Sequence, residues 1–328
     1  MNSGHRLIFT LVLGTAAVSA CNSGTATSAA DAGVRFDGGL SPRDVGASAD
    51  GGETLADAAP IDAAATDAAL GDAALGDAAG NDAALGDAST AVRLPPINAG
   101  LDYQLGGAYP LPAGVTIVSR DRTAAPAAGS YNICYINGFQ IQPDEVADWT
   151  NNHPGLMLRD GAGELVIDAD WNEILIDVRT PAQRAAVAQI VGGWIRTCKT
   201  SGFDAIEIDN LDSYSRSRGL LTEDQLVMTM RLFSDIAHAE GLAIAQKNSS
   251  ELVPRRAELG TDFVVAEECN RYSECDTYTA SYGQHVLAIE YRRADFDVGC
   301  AAFPNLSIVL RDRNLVTPDQ GAYVFRGC

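Results

Sequence analysis

Histidine is almost missing from this chain: four occur in 328 residues, at positions 5, 153, 238 and 285. None stands in an HExxH pair, and the cysteines form no Cys-x-x-Cys set with a suitably spaced histidine, so the usual ligands of a zinc hydrolase or deacetylase are lacking. His238 falls in a helical stretch, where packing is its expected role. Glycine-rich phosphate loops are lacking as well. Neither GxGxxG nor GxxxxGK follows an apolar strand, which removes the common nucleotide-binding designs. No GxSxG elbow offers a serine nucleophile. Bases are outnumbered by acids, 23 against 43, giving a formal charge of −20. That balance argues against nucleic acid as a partner. Beyond the leader, no run is long and apolar enough to span a bilayer. No metal and no cofactor are expected.

What the chain does contain falls into three parts. Residues 1–21 read as an export signal, with His5 and Arg6 as the positive start, an apolar core at 7–13 and the box Val18-Ser19-Ala20-Cys21. A cysteine directly after Val-Ser-Ala resembles a bacterial lipoprotein box, which makes Cys21 the candidate lipidation site and mature N-terminus. The expectation is an exported protein, lipid-anchored at the cell envelope and touching membrane through that anchor alone. Asn22 is not the aspartate that usually retains inner-membrane lipoproteins, which points to the outer membrane or cell surface. Residues 22–93 are dominated by Ala, Asp, Gly and Ser, and DAALG recurs from Asp67, Asp72 and Asp82. With almost no aromatics, this stretch cannot bury enough surface to offset its ordering entropy, so a disordered linker is expected.

Residues 94–328 are long enough for one large domain, expected as a monomer. Short β-rich runs begin at Asp102 (DYQL), Val115 (VTIVS), Tyr131 (YNICYI), Ala205 (AIEIDN), Ala243 (AIAQKN), Phe263 (FVVAEE), Val286 (VLAIEY) and Ser307 (SIVLRD). Helical patterns cover 181–200, opened by Pro181, and 222–240, capped by Thr222 and stopped by Gly241, with a shorter one at 250–259. Residues 165–178 form an extra extended element. Eight strands alternating with helices predict an α/β (β/α)8 TIM barrel. A doubly wound open sheet is the alternative, and it lacks its phosphate loop. Six cysteines remain once Cys21 is set aside, an even number suited to three disulfides in an exported chain. Of fifteen possible pairings, Cys269 with Cys275 and Cys300 with Cys328 are the expected ones, leaving Cys134 for Cys198.

Barrel active sites gather where strands end. In AIEIDN, alternation puts Ile206 and Ile208 on one face and Ala205, Glu207 and Asp209 on the other. A carboxylate on an inner strand face is costly unless it serves a site. FVVAEEC at 263–269 ends in acids in the same way. The other strand ends carry Asp102, Tyr103, Asp121, Arg122, Tyr135, Asn137, Asn210, Lys247, Asn248, Glu290, Tyr291, Arg311 and Asp312. Acids for chemistry, amides for hydroxyls and rings for stacking suit a sugar. An acidic site also suits a cationic one.

With those residues in view, 98–328 resembles glycoside hydrolase family 114, the endo-α-1,4-polygalactosaminidase family. The supporting pieces are DYQLGGAYPLP, VSRDRTAAPAAGSYNICYINGF, GFDAIEIDNLDSYSRS, AHAEGLAIAQKN, DFVVAEECNRYSEC and AIEY, in that order. The resemblance implies a barrel hydrolase cutting α-1,4-linked galactosamine or N-acetylgalactosamine exopolysaccharide within the chain by two carboxylates. It places one at Asp209 and the other at Glu267 or Glu268. Alternation from Ala266 favours Glu268, as Ala288 and Glu290 do on the next strand; the family pattern favours Glu267. By position, Asp209 would be nucleophile and Glu267 the acid/base. Asp102, Tyr103, Tyr135, Asn210, Asp212, Lys247, Asn248, Glu290 and Tyr291 are the candidate substrate-binding residues. The competing function is a carbohydrate-binding surface lipoprotein whose barrel has no turnover.

Overall fold

A computed structural model of the chain describes residues 92–328. The leader, the lipidation site read at Cys21 and the linker up to residue 91 lie outside the described residues.

Eight parallel strands run in chain order round a barrel: β1 (Gly100–Gln104), β2 (Val115–Asp121), β3 (Tyr131–Asn137), β4 (Ala205–Asp209), β5 (Ala243–Lys247), β6 (Phe263–Glu267), β7 (Val286–Glu290) and β8 (Ser307–Arg311). Each pairs in parallel with the next, and β8 returns beside β1. These are the eight strands expected from the sequence, and no open sheet forms. Where β8 meets β1, no backbone ladder joins them. Side chains close the seam instead: Arg311 Nη1 donates to Asp102 Oδ1 at 2.8 Å and to the Tyr103 carbonyl, with both charged groups fully buried. The antiparallel C-terminal strand Phe325–Gly327 pairs with β8 along the edge that β7 leaves free and β1 does not fill.

Period two decides what fills the barrel. Leu101, Tyr103, Ile117, Tyr131, Ile133, Ala205, Ala243, Ala245, Phe263, Val265, Leu287, Ile289 and Val309 form its interior cluster. The alanines of β4 and β5 leave room for the rings of β1, β3 and β6. The intervening residues of β3, β4 and β5, among them Ile136, Ile206, Ile208 and Ile244, pack outward. They meet helices α1 (Pro181–Ser201) and α2 (Glu223–Ala239). Both helices open on capping boxes, Thr180 with Gln183 and Thr222 with Gln225, satisfying backbone N–H groups that the first turn leaves free. On the far side, Val264, Ala266, Ala288 and Ile308 pack against α3 (Cys275–Tyr282) and α4 (Arg293–Ala302).

Two departures from the sequence reading are local. The helix expected at 250–259 is a 3₁₀ stretch, Ser250–Arg255, followed by one α-turn, Arg256–Leu259. Pro254 inside it lacks the N–H an α-helix would use. The β1–β2 and β2–β3 connections carry no helix, so the helical layer is incomplete there. The extra extended element at 165–178 belongs to an insertion between β3 and β4: Gln140–Ile141, Glu173–Leu175 and Ile167–Asp168 form a small antiparallel sheet with Glu173–Leu175 as its central strand. Its apolar side joins the core through Ile141, Val166, Ile174 and Leu175.

The three disulfides pair as expected. Cys134–Cys198 ties β3 to α1, Cys269–Cys275 closes the loop after β6, and Cys300–Cys328 fixes the C-terminus to α4. They close loops of 64, 6 and 28 residues.

Candidate active site

At the C-terminal rim of β4, β5 and β6, three carboxylates converge on one ammonium. Lys247 Nζ lies 3.2 Å from Asp209 Oδ1, 3.1 Å from Glu267 Oε2 and 3.4 Å from Glu207 Oε1. All four side chains occupy the inward phase of their strands. Lys247 is almost fully buried, Glu207 wholly so, and Asp209 and Glu267 open partly to solvent. Burial alone would discharge Lys247, yet Asp209, Glu267 and Glu207 outweigh it and hold the ammonium charged well above its usual range. Burial also opposes the charge on Asp209; Lys247, the Tyr135 hydroxyl and the Asn210 N–H prevail and keep its carboxyl below the ordinary value. Glu207, deeper in the barrel, is pushed up by burial, partly offset by Lys247 and two hydroxyls.

Phenols complete the cluster. Tyr103 donates to Glu207 Oε1 at 2.5 Å and accepts from Lys247 at 3.0 Å, while Ser119 donates to Glu207 Oε2 at 2.7 Å. Tyr135 donates to Asp209 Oδ2 at 2.6 Å, and Tyr291 donates to Glu267 Oε1. Burial, then the adjacent carboxylates, push all three phenols far up, so they stay protonated donors. Asn248 Nδ2 reaches Glu267 Oε2 at 3.2 Å and its Oδ1 accepts the Glu267 N–H at 2.7 Å. Each catalytic candidate thus has a phenol on one oxygen and the shared lysine on the other.

Each of these three strands stops at a residue in the left-handed region: Asn210 (φ 65°), Asn248 (φ 47°) and Glu268 (φ 57°). Asparagine tolerates that conformation; glutamate rarely adopts it. Glu268 is held by its N–H to the Ile289 carbonyl at 2.7 Å and by Arg271 at 2.6 Å and Arg313 at 3.1 Å on its two carboxylate oxygens. It therefore lies away from the lysine cluster, as does Glu290. The alternation drawn from Ala266 and Ala288 has the wrong phase: the small residues sit under the helices, and Phe263 and Val265 carry the inward face that continues to Glu267. Glu290 is fully buried on the outer side, raised by that burial, with Oε1 accepting from the N–H and side chain of Asn270.

Two further candidates take other positions. Asp102 serves the β1–β8 seam through Arg311 and Gln104. Asp212 pairs with Arg216 at the rim. Asn210 hydrogen-bonds Asn137 at 2.9 Å beside Asp209. The sequence reading passed over Glu173. It lies on the inserted sheet, and its Oε2 accepts from Asn137 Nδ2 at 2.8 Å. Burial, then Asp209 and Asp168, push its pKa up to about 7 despite Asn137 and Arg216. Its signal was an acid at an otherwise apolar strand, EILI, in the insertion. Among the described residues, the group close enough to suggest a metal is Cys269, Cys275 and Glu290. Its two sulfurs are spent in a disulfide, so it does not fit a cation.

A parallel barrel with partly open carboxylates held at its C-terminal rim by lysine, phenols and amides is the arrangement of a carboxylate glycosidase. The chain belongs to glycoside hydrolase family GH114, whose sequence profile matches residues 81–328. The protein is a glycoside hydrolase. Among solved structures it is similar to Ega3 of Aspergillus fumigatus, crystallised in complex with galactosamine, at 22% identity over 73% of this chain and 98% of that one, with a TM-score of 0.59. That likeness shows the shared fold. The glycoside hydrolase domain of PelA from Pseudomonas aeruginosa aligns at 15% identity over 69% of this chain and 97% of its own, TM-score 0.48. No curated protein matches the chain.

Proposed function

We propose that the protein is an endo-acting hydrolase of α-1,4-linked galactosamine or N-acetylgalactosamine polymer, working through Asp209 and Glu267. The observation that carries this is the single ammonium of Lys247 in contact with both carboxylates, at 3.2 and 3.1 Å. Carboxylates drawn onto one ammonium are held close together, which favours the short separation of a retaining pair over the roughly 6.5–9.5 Å an inverting pair needs to admit water. Asp209, kept ionised by Lys247 and Tyr135, attacks the anomeric carbon. Glu267 in its protonated form delivers a proton to the departing glycosidic oxygen. It then takes a proton from the water that hydrolyses the glycosyl–Asp209 ester. Lys247 offsets charge as Asp209 gives up its own. The galactosamine in the Ega3 complex and the acidity of this rim both favour a cationic amino sugar. The export leader and the lipid anchor at Cys21 belong to the same reading, as an envelope enzyme meeting exopolysaccharide.

The test is turnover of galactosamine polymer by the full chain, followed by new reducing ends and by the anomer first released. Asp209→Asn keeps shape and removes the charge, and turnover should fall by several orders of magnitude with the fold intact, since acid–base assistance alone is worth about 10²–10⁴. Near-normal turnover of that variant would refute the assignment.

A further inference from the structure

Glu173 differs from the paired acids around it, which each have a cation. Asp209 and Glu267 share Lys247, Asp168 and Asp212 share Arg216, Glu268 has Arg271 and Arg313, and Glu145 has Arg122. Among the described residues, no lysine, arginine or histidine forms an ion pair with Glu173. One oxygen is fixed by Asn137, and no donor among the described residues reaches the other, Oε1. The placement is specific, because Asn137 pairs with Asp209 in the β3–β4 register, so Glu173 stands one side chain from the proposed nucleophile. The groups facing it come from each element packed there: Asn137 of β3, Asp209 of β4, Asp168 of the neighbouring inserted strand and Arg216 of the short helix Ser213–Arg216. Two residues before it, at the turn of the same hairpin, Trp171 is 58% exposed, a flat apolar surface of the kind sugar rings stack on.

We propose that Glu173 reads the charge of the substrate, taking the free ammonium of a hexosamine unit bound beside Asp209 and so favouring deacetylated over N-acetylated units. This rests on the function proposed above. A half-buried acid with an open oxygen and no cation is the complement of an ammonium. An acetamide offers the same oxygen a neutral N–H and no charge. In the free protein burial, and then the crowding of Asp209 and Asp168, holds the carboxyl partly protonated near neutral pH, its pKa pushed up to about 7. An arriving ammonium favours the ionised form, so binding releases a proton and strengthens as pH rises through that range.

Binding can be separated from turnover by using full-length Glu267→Gln as the carrier and titrating it calorimetrically with galactosamine oligomers and their fully N-acetylated counterparts. Adding Glu173→Gln should weaken the free-amine oligomer by roughly tenfold or more and leave the acetylated one within about twofold. The rise in affinity between about pH 5.5 and 7.5 should vanish with it, and Glu173→Asp should restore part of both effects. Equal losses on both oligomers, or no loss on either, would overturn the role of Glu173 while leaving the proposed substrate standing. A carrier that binds neither oligomer, joined with a wild-type chain that cleaves neither polymer, would overturn both.

Discussion

Replacing Lys247 by methionine keeps most of the side-chain volume and removes the one charge that three carboxylates and a phenol share. Nothing else in the cluster can neutralise Asp209, Glu267 and Glu207, which lie 3.2, 3.1 and 3.4 Å from Nζ. Breaking a buried ion pair on one side costs about 3–5 kcal/mol. In a domain of this size that is a fall in melting temperature of roughly 6–20 °C, taking about 2–4 °C per kcal/mol. The chemistry should change as well. Asp209 sits below its ordinary pKa because Lys247 and two hydrogen bonds defeat burial. Without the lysine burial prevails, and the Asp209 carboxyl should rise. Because the folded pKa is depressed, the stability Asp209 contributes is present above its unfolded value near 3.9 and is lost as pH falls through the folded one. The variant's deficit should therefore be largest at neutral pH and shrink in acid. The assay is kcat/KM on galactosamine polymer against pH, beside thermal unfolding over the same range. Tyr135→Phe, which removes only the 2.6 Å hydrogen bond to Asp209, should move the acidic limb the same way by less and serves if the methionine variant folds poorly. Acidic limbs that coincide for all three proteins would refute the reasoning.

Of the two adjacent glutamates, Glu267→Gln should abolish turnover, whereas Glu268→Gln should lose stability and keep most of its kcat; the reverse order in a reducing-end assay would put the acid/base on the wrong residue. His238 is raised, chiefly by its hydrogen bond to Asp262 at 2.9 Å. Its contribution to stability is then full below about pH 6.5 and lost as pH rises through the folded value, so denaturant midpoints of wild type and His238→Gln should differ at pH 5 more than at pH 8.5. Opening Cys269–Cys275 with a double serine variant should cost only about 2 kcal/mol, as expected for so short a loop, yet lower turnover disproportionately; activity that merely tracks folded fraction would show the loop has no part in holding the site.

The architecture was legible because each strand announces itself by alternation and each long helix by its cap. The helical stop at Gly241 and the start at Thr222 stand in the sequence, and both elements follow. The inward face of β4 could be read to the residue, since Ile206 and Ile208 left only Ala205, Glu207 and Asp209 for the barrel. On β6 and β7 the same reading failed. Small residues suggest an inward face there, whereas the helices α3 and α4 approach closely enough to need Ala266 and Ala288 beneath them. Volume balance across a barrel is a property of eight strands together, and no single strand displays it. Asp102 misled for a related reason: a strand-end acid beside a tyrosine resembles a site residue until its distant partner, Arg311, is known. Glu173 could not be placed at all, because only the folded insertion carries residues 36 positions apart into hydrogen-bonding contact.

The seam between β8 and β1 decides how this protein behaves when its disulfides are reduced. Strand β8 has a backbone edge that β1 does not fill, and the last residues cover it: Phe325, Arg326 and Gly327 pair with Arg311, Leu310 and Val309. Cys328 then bolts that cover to α4 through Cys300. A three-residue strand at a chain end frays readily when nothing holds it. Oxidised, the molecule presents no ready template for another chain to pair with along β8; reduced, it uncovers one, and uncovered edges of this kind recruit neighbours into intermolecular sheet. The terminal disulfide thereby acts as a guard against self-association, and its formation would mark the point after which the folded chain is safe at high concentration.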